Sequence, residues 1–172
     1  AVNKKPIFLA FHHCDVLNGQ MLKRLLSEKV EALEIHYCPQ IYNEDIAQIA
    51  LLSPNLKMLT IKGCDGITHI SQGIIVVTPI TLPNLESFSL QQCSLLAHVM
   101  LIAPRLKELT LKRNPLLKSP AIEFSSFPKI TISRSPNLKL TLPKLETLDE
   151  ESTLENVRTF FVQLVSLLNK EE

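Results

Sequence analysis

Residues 30–67 read VEALEIHYCPQIYNEDIAQIALLSPNLKMLTIKGCDGI. The stretch holds one pattern twice. Val30, Leu33, Ile35, Cys38 and Ile41 form the first row, and Leu56, Leu59, Ile61, Cys64 and Ile67 the second. With each cysteine as position zero, apolar residues fall at −8, −5, −3 and +3. The residues at −5 and −3 alternate as in a strand with one buried face, so both point inward. Between the rows, Asn43 reads as a helix N-cap, with Glu44 and Asp45 in the first turn. Ile46, Ile49 and Ala50 follow at helical spacing, and Pro54 stops the helix. Strand, turn, helix and strand thus fill one period.

The pattern continues in both directions. Upstream lies Pro6, Leu9, Phe11, Cys14, Leu17, where only −8 is not apolar in the usual sense. Downstream lie Leu85, Phe88, Leu90, Cys93, Leu96; then Leu106, Leu109, Leu111, Asn114, Leu117; then Phe127, Ile130, Ile132, Ser135, Leu138. Successive zero positions are 24, 26, 29, 21 and 21 residues apart. The zero residue turns the chain out of the strand, and its side chain must satisfy backbone groups that the bend leaves open. An Asn amide does so directly, and a thiol is a weak donor that tolerates burial. Cys14, Cys38, Cys64, Cys93, Asn114 and Ser135 are therefore read as structural rungs, with the cysteines as free thiols.

The connections differ along the chain. Asn18-Gly19 precedes Met21, Leu22, Leu25 and Leu26, a helical spacing. The connection after the third row is longest, and its Ile74–Val77 run and 78–83 stretch read as an irregular insertion. Residues 97–103 read as a short helix ended by Pro104. The two 21-residue periods leave room only for extended or 3₁₀ returns. Past Leu138, Leu142, Leu145 and Leu148 read as a degenerate seventh turn. Residues 153–170 carry Leu154, Val157, Phe160, Phe161, Leu164, Val165 and Leu168 at helical spacing after Ser152-Thr153. The expected organisation is a repeat domain over 1–150 and an amphipathic capping helix over 151–172, since a stacked repeat leaves an apolar end to cover. No such cap is legible before the first row, so a missing domain or another subunit is expected there.

Bulk composition agrees. The chain has 172 residues, one domain by length, with 45 % hydrophobic and only 5 % aromatic residues and no Trp. That suits layers of small aliphatics better than a core built around rings. A net charge of +1 gives no global field for nucleic acid or membrane. No apolar run approaches spanning length. No Asn-x-Ser/Thr acceptor occurs, and unpaired cysteines in buried rungs favour a reducing, intracellular compartment.

The rows as quoted resemble leucine-rich repeats, whose unit is L-x-x-L-x-L-x-x-N/C-x-L. Residues 30–67 are most similar to the cysteine-containing type found in F-box substrate receptors and bacterial effectors. The resemblance implies an α/β solenoid with a parallel sheet on its concave face and short helices or irregular segments on its convex face. It also implies a role in protein recognition, including substrate choice for a ubiquitin-ligase-like or effector protein.

In such a solenoid, positions −4, −2 and −1 face solvent on the concave side. Position −4 reads Ala10, Glu34, Thr60, Ser89, Thr110, Thr131; position −2 reads His12, His36, Lys62, Gln91, Lys112, Ser133; position −1 reads His13, Tyr37, Gly63, Gln92, Arg113, Arg134. The candidate partner-binding residues are His12, His36, Tyr37, Lys62, Gln91, Lys112, Arg113 and Arg134. Lys112, Arg113 and Arg134, with Lys107 and Lys129 near by, point to an acidic or phosphorylated protein partner. His12 and His36, adjacent in one column, could ligate a metal with Glu34 or His13. Paired surface histidines are more often simply exposed, so neither a metal nor a cofactor is assigned. With four Gly and no phosphate loop, and no converging nucleophile and base, the chain is expected to be non-catalytic. The alternative is a structural or oligomerising segment, or an accessory domain of a larger enzyme.

Overall fold

The computed structural model describes residues 5–118 and 120–138. The degenerate seventh turn and the amphipathic segment 153–170 lie outside them. Ten strands and two helices follow in order: β1 (Ile7–His12), α1 (Gly19–Leu25), β2 (Val30–His36), α2 (Asn43–Leu52), β3 (Met58–Lys62), β4 (His69–Ile70), β5 (Ile80–Thr81), β6 (Ser87–Gln91), β7 (His98–Ile102), β8 (Glu108–Lys112), β9 (Ala121–Glu123) and β10 (Lys129–Ser133). The chain is mixed α/β. Its main sheet has six strands in the order β1-β2-β3-β6-β8-β10, is parallel throughout, and stays open.

Each row of the sequence supplies one strand of that sheet. The core-facing pairs Leu33/Ile35, Leu59/Ile61, Phe88/Leu90 and Leu109/Leu111 are all buried. Their +3 partners Ile41, Ile67, Leu96 and Leu117 are fully buried beside them. One turn closes every row: the +3 amide donates to the zero carbonyl, from Leu17 N to Cys14 O at 3.2 Å through Leu138 N to Ser135 O at 3.2 Å. The first strand is less enclosed, with Ile7, Leu9 and Phe11 only half-buried among the described residues.

The rungs behave as the turn chemistry requires. Cys38 Sγ donates to His36 O at 3.4 Å and lies 3.8 Å from Phe11 O on the preceding row. Cys64 repeats this with Lys62 O at 3.5 Å and Ile35 O at 3.6 Å. Cys93 does so with Gln91 O at 3.4 Å and Ile61 O at 3.8 Å. Asn114 Nδ2 donates to Leu90 O at 3.0 Å, and its Oδ1 accepts from Cys93 N at 3.1 Å. All four cysteines are free thiols. Burial pushes the Cys38 thiol up, the Cys64 thiol up to about 11, and the Cys93 thiol up to about 12.

The returns differ from the sequence reading in two places. Asn43 is not the N-cap of α2; Tyr42 is, and its amide donates to Asp45 Oδ2 at 2.9 Å. Asn43 instead accepts from Thr68 N at 2.8 Å and donates to Thr68 Oγ1 at 2.9 Å, tying α2 to the next return. Residues 97–103 form no helix. His98–Ile102 is strand β7, which pairs in parallel with β4, β5 and β9 as a second sheet. Val99, Leu101 and Ala103 are buried while Met100 and Ile102 are half-exposed, a period of two. The insertion after β3 also gains order, through the antiparallel bridge between Gln72 and Thr78. Its tip carries Ile74 and Ile75 at 99 % and 96 % exposure. Two of the expected returns are present: the helical spacing after Gly19 forms α1, whose N-cap Asn18 accepts from Met21 N at 3.0 Å, and β9 makes the return after β8 extended. No helix among the described residues is long and apolar enough to cross a membrane.

Candidate functional site

The solvent face of the main sheet is a set of straight columns, because every pair of neighbouring strands keeps the same register. His12 pairs with His36, His36 with Lys62, Lys62 with Gln91, Gln91 with Lys112, and Lys112 with Ser133. Two residues earlier, Ala10, Glu34, Thr60, Ser89, Thr110 and Thr131 pair in the same succession. Lys62, Gln91 and Lys112 are half-buried by their column neighbours, and Arg113 and Arg134 are exposed.

Position −1 is not strand. His13, Tyr37, Gln92, Arg113 and Arg134 have φ between 50° and 55°, and Gly63 has φ 63°. All six residues lie in the left-handed region, which costs a non-glycine residue on the order of 1 kcal/mol. His13, Tyr37, Gly63, Gln92 and Arg113 each still donate their amide to the −2 carbonyl of the next row, as from Tyr37 N to Lys62 O at 2.7 Å. The residue thus keeps the last ladder bond and then swings the chain inward to the rung. Gly63 is the one sequence signal for this conformation, and in a single position it does not reveal the other five.

The −1 column starts with a ring stack. His13 lies on Tyr37 with centroids 4.7 Å apart and 8° between planes. The Tyr37 ring runs over Gly63, where a Cβ would come within 2.3 Å of its Cδ1. Its hydroxyl donates to Gln92 Oε1, and Lys62 Nζ stands 5.8 Å from the ring centroid. Tyr37 therefore bridges two rows, and the missing side chain at Gly63 makes room for it.

Beside it, His12 and His36 stack with centroids 4.3 Å apart and 3° between planes. Glu34 Oε2 lies 3.1 Å from His12 Nε2 and 4.0 Å from His36 Nε2. Burial, then the neighbouring His12, lowers the His36 pKa, against the Glu34 carboxylate, which raises it.

The opposite end is basic, but less so than the sequence implies. Lys107 is held by Glu86 at 2.8 Å, as Lys57 is by Glu31 at 3.4 Å. Lys129 pairs in the ladder with Glu108. Lys112, Arg113 and Arg134 have no side-chain ion pair among the described residues.

The same face carries an apolar depression that reaches beyond the −4, −2 and −1 columns. Phe8, Ala10, Ala32 and Met58, with Glu31, Glu34 and Lys57 at the rim, line a shallow depression of about 510 Å³. Phe8 is 69 % exposed. The signal was available, since position −6 also points to solvent and reads Phe8, Ala32, Met58, Ser87, Glu108, Lys129. That column passes from apolar to charged along the sheet.

Comparisons with protein-family models, curated proteins and solved structures find no match to this chain.

Proposed function

We propose that the chain is a leucine-rich-repeat solenoid acting as a non-catalytic protein-recognition module, with the solvent face of the six-stranded sheet as its concave binding surface. The observation that carries this reading is the Lys112, Arg113 and Arg134 group. These cations stand together at one end of the polar columns, without acidic partners among the described residues. The expected partner is an acidic or phosphorylated protein segment lying across the strands. Its carboxylates or phosphates would meet the two guanidinium groups, and its apolar residues the Phe8 depression. By resemblance of the repeat, the role is substrate recognition in a ubiquitin-ligase-like or effector protein. The four free thiols support an intracellular, reducing setting.

The test is a binding screen with acidic and phosphorylated peptides against the chain and an Arg113→Glu, Arg134→Glu double variant. Binding that weakens at least about tenfold in the variant, and falls with added salt, supports the reading. Equal binding by both proteins rules out the basic end as the docking surface.

A second reading rests on β1. Its inward residues are only half-buried, whereas Leu33 and Ile35 one strand on are fully buried. That edge fits an oligomerising or domain-docking role, in which another subunit or domain covers the first row. Light scattering on the purified chain distinguishes the two: a stable dimer supports this reading, and a monomer at high concentration removes the subunit version of it.

A further inference from the structure

We propose that His12, Glu34 and His36 form a binding site for one divalent transition-metal ion of the zinc class. The ladder places these residues together. His12 and His36 are direct cross-strand partners, and Glu34 sits two residues before His36 on the same face. One nitrogen from each histidine and one carboxylate oxygen all lie within 4.8 Å of one another. Metal bonds of about 2.0–2.1 Å to nitrogen and oxygen put tetrahedral ligand atoms roughly 3.3 Å apart. His12 Nε2 and Glu34 Oε2 already stand at 3.1 Å, and His36 Nε2, at 4.0 Å from the same oxygen, has only to close to roughly 3.3 Å.

A second observation points the same way. His36 Nε2 is buried and has no hydrogen-bond partner. A buried polar atom normally finds a partner, so this nitrogen stands open to one. Lys62, next in the column, leans over the Tyr37 ring. Glu34 is then the charged group in contact with both imidazoles.

The rings do not yet converge. Stacked at 3°, their in-plane lone pairs run side by side instead of toward one point. Binding requires one ring to turn, and His12, with 52 % of its side chain exposed, is free to do so while His36 stays packed. Two imidazoles and a carboxylate suit zinc, copper or nickel, and exclude magnesium and calcium, which demand oxygen ligands. Three protein ligands leave a position open to solvent on the sheet face. Water fills it in the free chain, and a side chain of a docked protein could replace the water. The site itself does not depend on the basic end being a docking surface.

The test uses the tag-free chain, titrated with Zn²⁺ by calorimetry and with Co²⁺ by visible absorption. One equivalent is expected, with cobalt bands of nitrogen and oxygen ligation and no thiolate charge-transfer band. His36→Ala and Glu34→Gln should each weaken binding by more than the roughly 10-fold to 100-fold that outer-shell partners cost. His98→Ala and Cys14→Ser should bind as the parent does, and circular dichroism should give all variants the parent spectrum. Absence of one-to-one binding in the well-folded parent overturns the site. So does unchanged binding in His36→Ala, or loss of binding in Cys14→Ser, which would make the half-exposed thiol the ligand.

Discussion

The rows carrying cysteine and the rows carrying Asn114 or Ser135 make the same turn by different chemistry. In the first set the Cys38, Cys64 and Cys93 thiols lie 3.4–3.8 Å from two carbonyls each, and each sulfur faces the amide of the preceding cysteine. In the second, Asn114 donates at 3.0 Å and accepts at 3.1 Å, and Ser135 Oγ accepts from Asn114 N at 3.2 Å. The returns differ as well. After the first two cysteines the chain goes back through α1 and α2, which bring Leu22, Ile46 and Ile49 into the core. After Cys93 and Asn114 it goes back through β7 and β9, which bury narrower layers. The cysteine rows thus turn on weak thiol bonds, and the last two rows on stronger amide and hydroxyl bonds.

That contrast can be broken from either side. Phe88 is buried on β6, where the two halves meet, and Phe88→Ala should cost the most, about 3–5 kcal/mol in chemical denaturation. Asn114→Ala leaves Leu90 O and Cys93 N without their partner and should cost about 2–4 kcal/mol. Cys64→Ala removes a weaker donor and should cost about 1–2 kcal/mol. Equal losses from the two rungs would abolish the distinction. Gly63→Ala, at φ 63° and under the Tyr37 ring, should cost about 1–2 kcal/mol and free the Tyr37 hydroxyl from Gln92, read as changed tyrosine fluorescence. Asn18→Ala should cost about 1 kcal/mol, with loss of amide protection confined to α1.

The thiols also set a pH dependence. Their folded pKa values are raised, so above about pH 9 the unfolded chain loses thiol protons that the folded chain keeps. Stability is therefore intact below that pH and falls as pH rises toward 11 and 12. A Cys64→Ala, Cys93→Ala double variant should lose less on the alkaline side than the parent.

How much was legible in the sequence follows the same divide. The strands, their register and the surface columns were readable, because each row has a fixed offset from one turn residue, and pairing one row correctly pairs them all. The returns were less so. Residues 97–103 are apolar except for His98, and periodicity alone cannot separate a strand from a buried helix there. Asn43 looked like a cap because asparagine usually is one, yet Asp45 closes the turn on Tyr42 and frees the amide for Thr68. The left-handed residues were hidden because Tyr37, Gln92, Arg113 and Arg134 are not types that favour that conformation, and one histidine among them, His13, is too weak a signal. Of the candidate site, the columns were visible. The bridge from Tyr37 to Gln92 was not, since it depends on an empty space above Gly63. The neutralisation of Lys107 by Glu86 is a side-chain outcome that column position alone does not decide.

If the four cysteines are successive rungs of one ladder, their thiol reactivities must follow their positions in it. Cys14 is half-exposed, while Cys38, Cys64 and Cys93 are fully buried. Labelling at pH 8 with a thiol reagent, read by peptide mass spectrometry, should modify Cys14 first. The other three should react only at the rate of unfolding, and all four should react in denaturant. Fast labelling of Cys64 or Cys93 in the native protein, or fewer than four thiols after unfolding without reductant, would contradict it.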